Sequence, residues 1–455
     1  MQTVKRIMSM AYGVALGVIL VAGTVTLVAA QSLSLGEALD RADQLAYSNR
    51  IAAGETQVRS GDKTSALAGL LPTLRAEGGY TRTTDPLGAF GTILRQRAVT
   101  PAAFDPAALN HPATQSMYAG ALVVEQPLFN ADAWLGRAAA SSAAAASAAN
   151  ARWTRESVRA DVVRAYFGSI LSGFQVRTLE AASRAAHGHA RQAELMVTNG
   201  MVTRSDALLA SVRAGEVDAQ LAVARRESAN ARRRLALLLG DPASAAAALP
   251  ESLPTPARIR ALIRPDSLSL EERQDVAAAT HAWDASRRDV WRARSRYVPR
   301  VNSFARYDWY ADGFFAGEKS WTVGVMAVWT PFQGASEIGD MQAAKGREAS
   351  ARAMAEAATH QARVEMAARQ TDLEVALTRL DIAERAVDQS REAHRIVSRK
   401  YEGGLATVVE LLDAQATETS SQLGLSLVQY QIIVAEADRR KAFGVSIASL
   451  TALEE

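Results

Sequence analysis

The chain repeats its own punctuation, and nothing else in it constrains the fold as much. Pro127 in Gln126-Pro127-Leu128-Phe129 recurs as Pro331 in Thr330-Pro331-Phe332, an offset of 204 (331 − 127). Gly200 and Gly404 keep that offset, and so do Gly240 and Gly444. Glycine and proline mark where helices and strands start, stop or turn, so an ordered series of matches predicts one architecture used twice. A second pair, Pro72 in Leu71-Pro72-Thr73-Leu74 and Pro299 in Val298-Pro299-Arg300-Val301, is offset by 227 (299 − 72). The first half therefore carries 23 (227 − 204) extra residues between its two prolines.

Each half reads the same way. Leu35 to Leu71 has helical character and ends at Pro72. From Thr73 to Thr84, Leu74, Ala76, Gly78 and Tyr80 alternate with Arg75, Glu77, Gly79 and Thr81, which predicts a strand with one apolar and one polar face. A Pro/Gly-rich stretch from Asp85 to about Gln115 reads as a loop, and Met117 to Glu125 as a second strand. In the second half, strands are expected over Val301 to Tyr310 and Trp321 to Thr330. In the last of these, Trp321, Val323, Val325, Ala327 and Trp329 share one face. The two tryptophans are about 26 Å apart at the usual strand rise, close to the apolar height of a lipid-spanning strand bounded by aromatic girdles. By itself this strand fits a half-buried hairpin in a soluble domain equally well.

After each hairpin comes a very long stretch without proline. Ala131 to Asn199, read as one helix, reaches on the order of 100 Å, which no ordinary globular domain needs. Its apolar residues form two adjacent stripes: Val158, Val162, Tyr166 and Ile170, with Val163, Phe167, Leu171 and Phe174 beside them. Two stripes imply helical neighbours on both sides, as in a wall of helices closed into a tube. A break at Gly200 and a shorter helix to Gly240 follow. The second half matches, with Ala335 to Glu402, a break at Gly403-Gly404, and Leu405 to Phe443.

The first 30 residues have the form of a secretory signal. Lys5 and Arg6 precede an apolar run from Ala11 to Val28, and Val28-Ala29-Ala30 offers a small-residue cleavage site. A retained membrane anchor is the alternative, because the run is long enough to span a bilayer. With no cysteine in the chain there are no disulfides, no thiol metal sites and no lipoprotein anchor. Removing Lys5 and Arg6 with the leader brings 51 basic residues down to 49 against 48 acidic ones, so nothing points to nucleic acid. Export together with these strands favours the outer membrane.

At this point the chain resembles the TolC-like outer-membrane factor family, the exit ducts of efflux pumps and type I secretion systems. The strings that carry the resemblance include Leu71-Pro72-Thr73-Leu74, Gln126-Pro127-Leu128-Phe129 and Arg264-Pro265-Asp266. It continues through Asn199-Gly200-Met201-Val202-Thr203-Arg204-Ser205-Asp206 and through Gly403-Gly404-Leu405-Ala406-Thr407-Val408-Val409-Glu410-Leu411-Leu412-Asp413-Ala414. The resemblance implies a mainly α fold with a small β part. A long α-helical barrel would join a transmembrane β-barrel of twelve strands, four from each chain of a homotrimer. The corresponding division is 1–30 signal peptide, 31–240 first repeat with its hairpin at 73–125, and 241–265 linker. The second repeat would run over 266–444 with its hairpin at 301–330, followed by a tail at 445–455.

The resemblance also assigns sites. Glu410, Asp413 and Asp206 map onto carboxylates that ring a closed aperture at the inner end of the tube. Glu410 and Asp413, at i and i+3, share a helix face. The tips Gly200, Met201, Val202, Thr203 and Gly403, Gly404, Leu405, Ala406 would dock a periplasmic adaptor protein that couples to an inner-membrane pump. Trp321, Trp329, Tyr307, Trp309 and Tyr80 would lie at the interfaces with outer-membrane lipid. Where the family's best-known member has an arginine that ties the aperture shut, this chain has Ala406, with Arg204 on the other tip. Acids near a helix start are also ordinary dipole partners, a bland reading that the residues alone leave open. No catalytic, phosphate-binding or metal pattern stands out, so no enzyme, cofactor or metal is expected. His187-Gly188-His189 reads as helix surface. The rival class is a periplasmic coiled-coil adaptor or scaffold.

Overall fold

The computed structural model describes residues 32–263, 273–313 and 317–454. The leader, Arg264-Pro265-Asp266 and residues 314–316 lie outside the described residues. The order of elements begins with α1 (Leu35–Leu45), α2 (Tyr47–Ser65) and β1 (Thr73–Thr83). It continues with α3 (Pro86–Arg95), α4 (Pro106–Asn110), β2 (Gln115–Phe129), α5 (Ala131–Thr198) and α6 (Arg204–Leu239). Then come α7 (Pro256–Leu262), α8 (Gln274–Ser295), β3 (Arg300–Ala311), β4 (Glu318–Val328), α9 (Ser336–Glu402) and α10 (Val408–Ala442).

Three expectations need correction. The first helix is two, because Ala46 is extended (φ −56°, ψ 130°) and Asn49 Nδ2 donates to the Ala42 carbonyl at 3.0 Å across the break. The second strand does not stop at Gln126-Pro127 but runs on to Phe129, with a bulge between Pro127 and Phe129 absorbing the missing donor. The stretch 85–115 is largely helical. Pro86 and Pro106 sit at first-turn positions, where a proline has no hydrogen bond to lose, behind the aspartate caps Asp85 and Asp105.

The offset that relates the two halves holds in backbone conformation. Gly200 and Gly404 have φ of 73° and 72°, and Gly240 and Gly444 of 66° and 72°. All four are left-handed turns that end a helix, where glycine carries no Cβ penalty. The long helices match as well, α5 with 68 residues against 67 in α9, and α6 with 36 against 35 in α10.

The four strands form a single antiparallel sheet in the order β1-β2-β3-β4, so the hairpins of the two halves join through β2 and β3. The register lines up like with like. Leu74 lies opposite Val124, Leu122 opposite Tyr307, and Tyr307 opposite Trp321. Residues directly opposite share a face, so one face is apolar across all four strands. The other face carries charge: Arg306 pairs with Asp308 at 2.7 Å and with Glu77 at 3.4 Å, and Glu125 accepts from Asn302 at 2.7 Å. The apolar face is the exposed one, with Trp321 at 72% and Val325 at 68%.

The helices stand in a row. Near the sheet, α2, α5, α8 and α9 are successive neighbours; toward the tips the order is α6, α5, α10 and α9. The main core lies part-way along α5, where Val158, Val162, Val163, Tyr166, Phe167 and Ile170 meet Leu35 and Leu39 of α1. Leu380 of α9, Ile432 and Ile433 of α10, and Ile447 and Leu450 of the C-terminal turn complete it. Both stripes read from the sequence are thus buried at one belt, except Phe174, which is half-buried. Tyr166 Oη donates to the Leu33 carbonyl at 2.7 Å and also reaches Glu454, tying both ends of the described chain to this belt.

One contact in the sheet gives a direct test. A Cβ at Gly120 would fall 2.0 Å from Cε2 of Trp309, so the indole lies flat over the glycine, whereas Gly78, its partner on β1, has nothing within 4 Å. Gly120→Ala should lower the thermal stability of the purified protein by about 1–3 kcal/mol through overpacking. Gly78→Ala should leave it within about 0.5 kcal/mol, as surface changes do. Circular dichroism melts of the two variants check the contrast.

Candidate functional site

The two ends of the molecule hold the candidate residues. At the helical end, each tip is built by the same local chemistry. The chain leaves α5 through Asn199, reverses at Gly200, and enters α6 at Thr203, which caps the helix. Thr203 Oγ1 accepts from Asp206 N at 3.2 Å while Asp206 Oδ2 accepts from Thr203 N at 3.1 Å. The second tip repeats this with Thr407 and Glu410: Thr407 Oγ1 accepts from Glu410 N at 3.2 Å, and Glu410 Oε2 accepts from Thr407 N at 2.7 Å. Asp206 and Glu410 are therefore the third residues of reciprocal capping boxes. Two of the three carboxylates expected at an aperture thus have a local role that explains their position fully. The signal was legible as Thr-x-x-Asp and Thr-x-x-Glu.

The two tips pack together. Ala193 of α5, Ala207 and Ala210 of α6, Tyr401 of α9, and Val408, Leu411 and Leu412 of α10 form one buried cluster, with Ala406 against it. Tyr401 Oη lies 3.2 Å from Met196 Sδ, linking α9 to α5. Burial, and after it the Asp206 charge, push the Tyr401 phenol above its ordinary value. Asp413 lies on the exposed side of α10 and reaches Arg213 of α6 at 3.7 Å, while Arg213 holds Glu216 more closely at 2.8 Å. An exposed pair of this kind contributes little, but it is a polar link between the hairpins where Ala406 supplies none. Met201, Leu405, Gly200 and Gly404 are exposed at the extreme end.

His187 and His189 do diverge, as their spacing requires. His187 Nε2 lies 2.8 Å from Asp218 of α6. His189 is half-buried, and burial and then the charge of His394 hold its imidazole below the usual value. Neither belongs to a set of three or more metal-type ligands among the described residues.

At the sheet end, aromatic side chains fall into two groups. Near the outer turns lie Tyr307, Trp309 and Trp321 with Tyr80 and Tyr118, whose rings are 4.9 Å apart. At the inner end, Trp329 donates Nε1 to the Tyr297 carbonyl at 3.2 Å, and Phe129 meets Trp134 edge-on at 5.4 Å. Tyr118 and Trp134 escaped sequence reasoning, because Trp134 opens a helix and only the fold brings it back to the strand ends. No helix among the described residues is long and apolar enough to cross a membrane.

The outer membrane efflux protein family profile matches residues 36–241 and again residues 267–445. The chain belongs to that family. The two matched blocks coincide with its two rounds of hairpin and long helices, and membership sets it in the outer membrane, among transport proteins and not enzymes. It is 28% identical to the outer membrane protein OprJ of Pseudomonas aeruginosa over 226 residues, 48% of this chain and 47% of OprJ. It is 23% identical to the alkaline protease secretion protein AprF of the same organism over 341 residues, 72% of this chain and 70% of AprF. The match to OprJ thus spans about half of that relative. In structure it is similar to the outer membrane protein VceC of Vibrio cholerae, with a TM-score of 0.75, covering 92% of this chain and 98% of VceC at 22% identity.

The capping geometry makes a pH prediction. The Thr407 backbone N–H, then its hydroxyl, hold the Glu410 carboxyl below its ordinary value of 4.5. A depressed folded-state value means the contribution is full above the ordinary value and is lost as pH falls through the folded one. Thr407→Ala, which removes the hydroxyl and keeps the backbone N–H, should move the Glu410 titration part of the way upward, followed by carbon-13 NMR of labelled glutamate. Hydrogen exchange at residues 408–412 should quicken as a cap worth about 1 kcal/mol is lost.

Proposed function

We propose that this chain is an outer-membrane exit duct of an efflux pump or a type I secretion system, working as a passive homotrimeric conduit. The observation that carries this is the sheet. Its outer strands β1 and β4 each have one unpaired edge, and its exposed face is apolar. In lipid an unpaired edge leaves backbone donors and acceptors with no partner, so the sheet must close with strands of other copies. The helix row has the same incompleteness. Its end members expose apolar residues, Ile51 and Val58 on α2, Leu208 and Val212 on α6, and Ile338, Met354 and Val364 on α9. Three copies of four strands would make a twelve-stranded barrel, and the helix rows would close into a tube beneath it. The family's efflux role and the secretion role in the name of AprF support transport.

In this reading residues 1–30 form a signal removed near Ala30, and Trp321 and Trp329 mark the two lipid interfaces. The tips at Gly200–Thr203 and Gly403–Ala406 meet the tips of a periplasmic adaptor joined to an inner-membrane pump. Glu410 and Asp413 of three chains surround the axis, and Glu410 keeps Oε1 free of the cap for that purpose. A ring of six carboxylates attracts cations and repels anions.

Membrane extraction, cross-linking and planar-bilayer recording test the proposal together. The protein is expected to need detergent for extraction, to cross-link as a trimer, and to show a low-conducting, cation-selective state. Replacing Glu410 and Asp413 together by alanine should weaken selectivity and block by divalent cations while trimers persist. Unchanged selectivity would confine Glu410 to its cap and Asp413 to its link with Arg213. A stable monomer released by osmotic shock would overturn the duct.

A further inference from the structure

The insertion between β1 and β2 is where the two halves differ most, and it is folded. Helix α3 is capped by Asp85, whose Oδ2 accepts from Gly88 N at 2.7 Å, and it buries Ala89 and Thr92. Phe90 meets Phe104 edge-on at 5.8 Å, so the rest of the insertion packs back on the helix. Its anchors reach three strands. Gln96 Nε2 donates to the Ser116 carbonyl of β2 at 2.9 Å, and the Arg95 guanidinium lies 5.3 Å over the Tyr310 ring of β3. Arg97 pairs with Glu318 of β4 at 3.2 Å and donates to the Lys319 carbonyl at 3.3 Å. Arg97 has φ 52°, a left-handed conformation unfavourable for a side-chain-bearing residue, which persists where surrounding contacts impose it.

The register shows which face these anchors use. Tyr310 and Glu318 lie opposite each other, in step with Arg306 and Asp308 and out of step with Tyr307, Trp309 and Trp321. They belong to the charged face. An insertion held there projects over the inside of a closed barrel, away from lipid.

We propose that α3 of each copy forms an outer lid, so that three lids make a second constriction at the mouth of the barrel, opposite the helical tips. This rests on the trimeric barrel reading. Twelve strands about 4.8 Å apart and tilted about 40° make a ring roughly 24 Å across, before the inner side chains are counted. An α-helix with its side chains is about 10 Å wide, so three of them reach the axis and meet. Leu87 and Leu94 are exposed on α3, at 84% and 57%, and have no apolar cover within one chain. At the axis they face the same residues of the other copies. The lid therefore limits passage by size at the outer end, independently of any closure at the tips.

The absence of cysteine makes the test direct. A single cysteine replaces Thr322, which lies opposite Arg306 on the charged face and deeper than the Glu318 anchor. Trimers are first verified by cross-linking and light scattering, and intact cells are then labelled from outside with a small maleimide or a polyethylene-glycol maleimide. With the lid in place the bulky reagent should react roughly tenfold more slowly than the small one, a barrier difference of about 1.4 kcal/mol. Replacing residues 86–112 by a short turn should bring the two rates together. Arg97→Glu, which sets like charges against Glu318, should bring them part of the way and serves if the deletion fails to fold. Equal rates in intact trimers, or a ratio unchanged in either variant, would overturn the lid while leaving the trimer standing. A monomer at the first step would overturn the barrel and the lid with it.

Discussion

A sheet of four strands with two unpaired edges and an apolar outer face cannot be a finished object in a membrane. Backbone groups at β1 and β4 have no solvent to satisfy them in lipid, and the cost of leaving them unmade is several kcal/mol per group. In the proposed duct, closure with copies of itself supplies the missing strands. Everything below the sheet inherits that demand. The end members of the helix row, α2 and α6 on one side and α9 on the other, likewise expose apolar residues.

The sheet can serve this purpose because its register keeps like with like. A slip of one residue between β2 and β3 would set Leu122 against Arg306 or Asp308 and carry charge onto the lipid face. Two devices hold the register. The bulge at Pro127 lets the strand pass a residue that cannot donate, and Trp309 lies over the bare backbone of Gly120.

At the tips, one capping pattern is used twice. Asp206 and Glu410 close capping boxes, each of which satisfies two of the four amide donors that a helix start leaves open. In the proposed duct these helix starts lie at the inner end of the tube, where the same acids would line an aperture. The boxes account for the positions of these acids in one chain, and assembly decides whether they also meet each other. The Arg213–Asp413 contact and the Tyr401–Met196 contact join the hairpins across the seam where Ala406 offers no charge.

Much of this was legible in the order of residues. The alternation in β1 and β4, the two stripes on α5, the paired glycines and the Thr-x-x-acid caps are local patterns, each set by backbone geometry within a few residues. What needed the tertiary structure is whatever depends on distant segments meeting. The segment 85–115 looked like a loop because proline and glycine are counted as breakers, yet Pro86 and Pro106 start helices, and only packing against β2, β3 and β4 shows what they are for. The belt that joins Leu35, Val162, Leu380, Ile432 and Leu450 likewise draws on segments hundreds of residues apart. The pairing of β2 with β3, which fuses two repeats into one sheet, has no local signature. Periodicity tells a strand which of its faces is apolar; only the neighbour it meets decides what that face becomes.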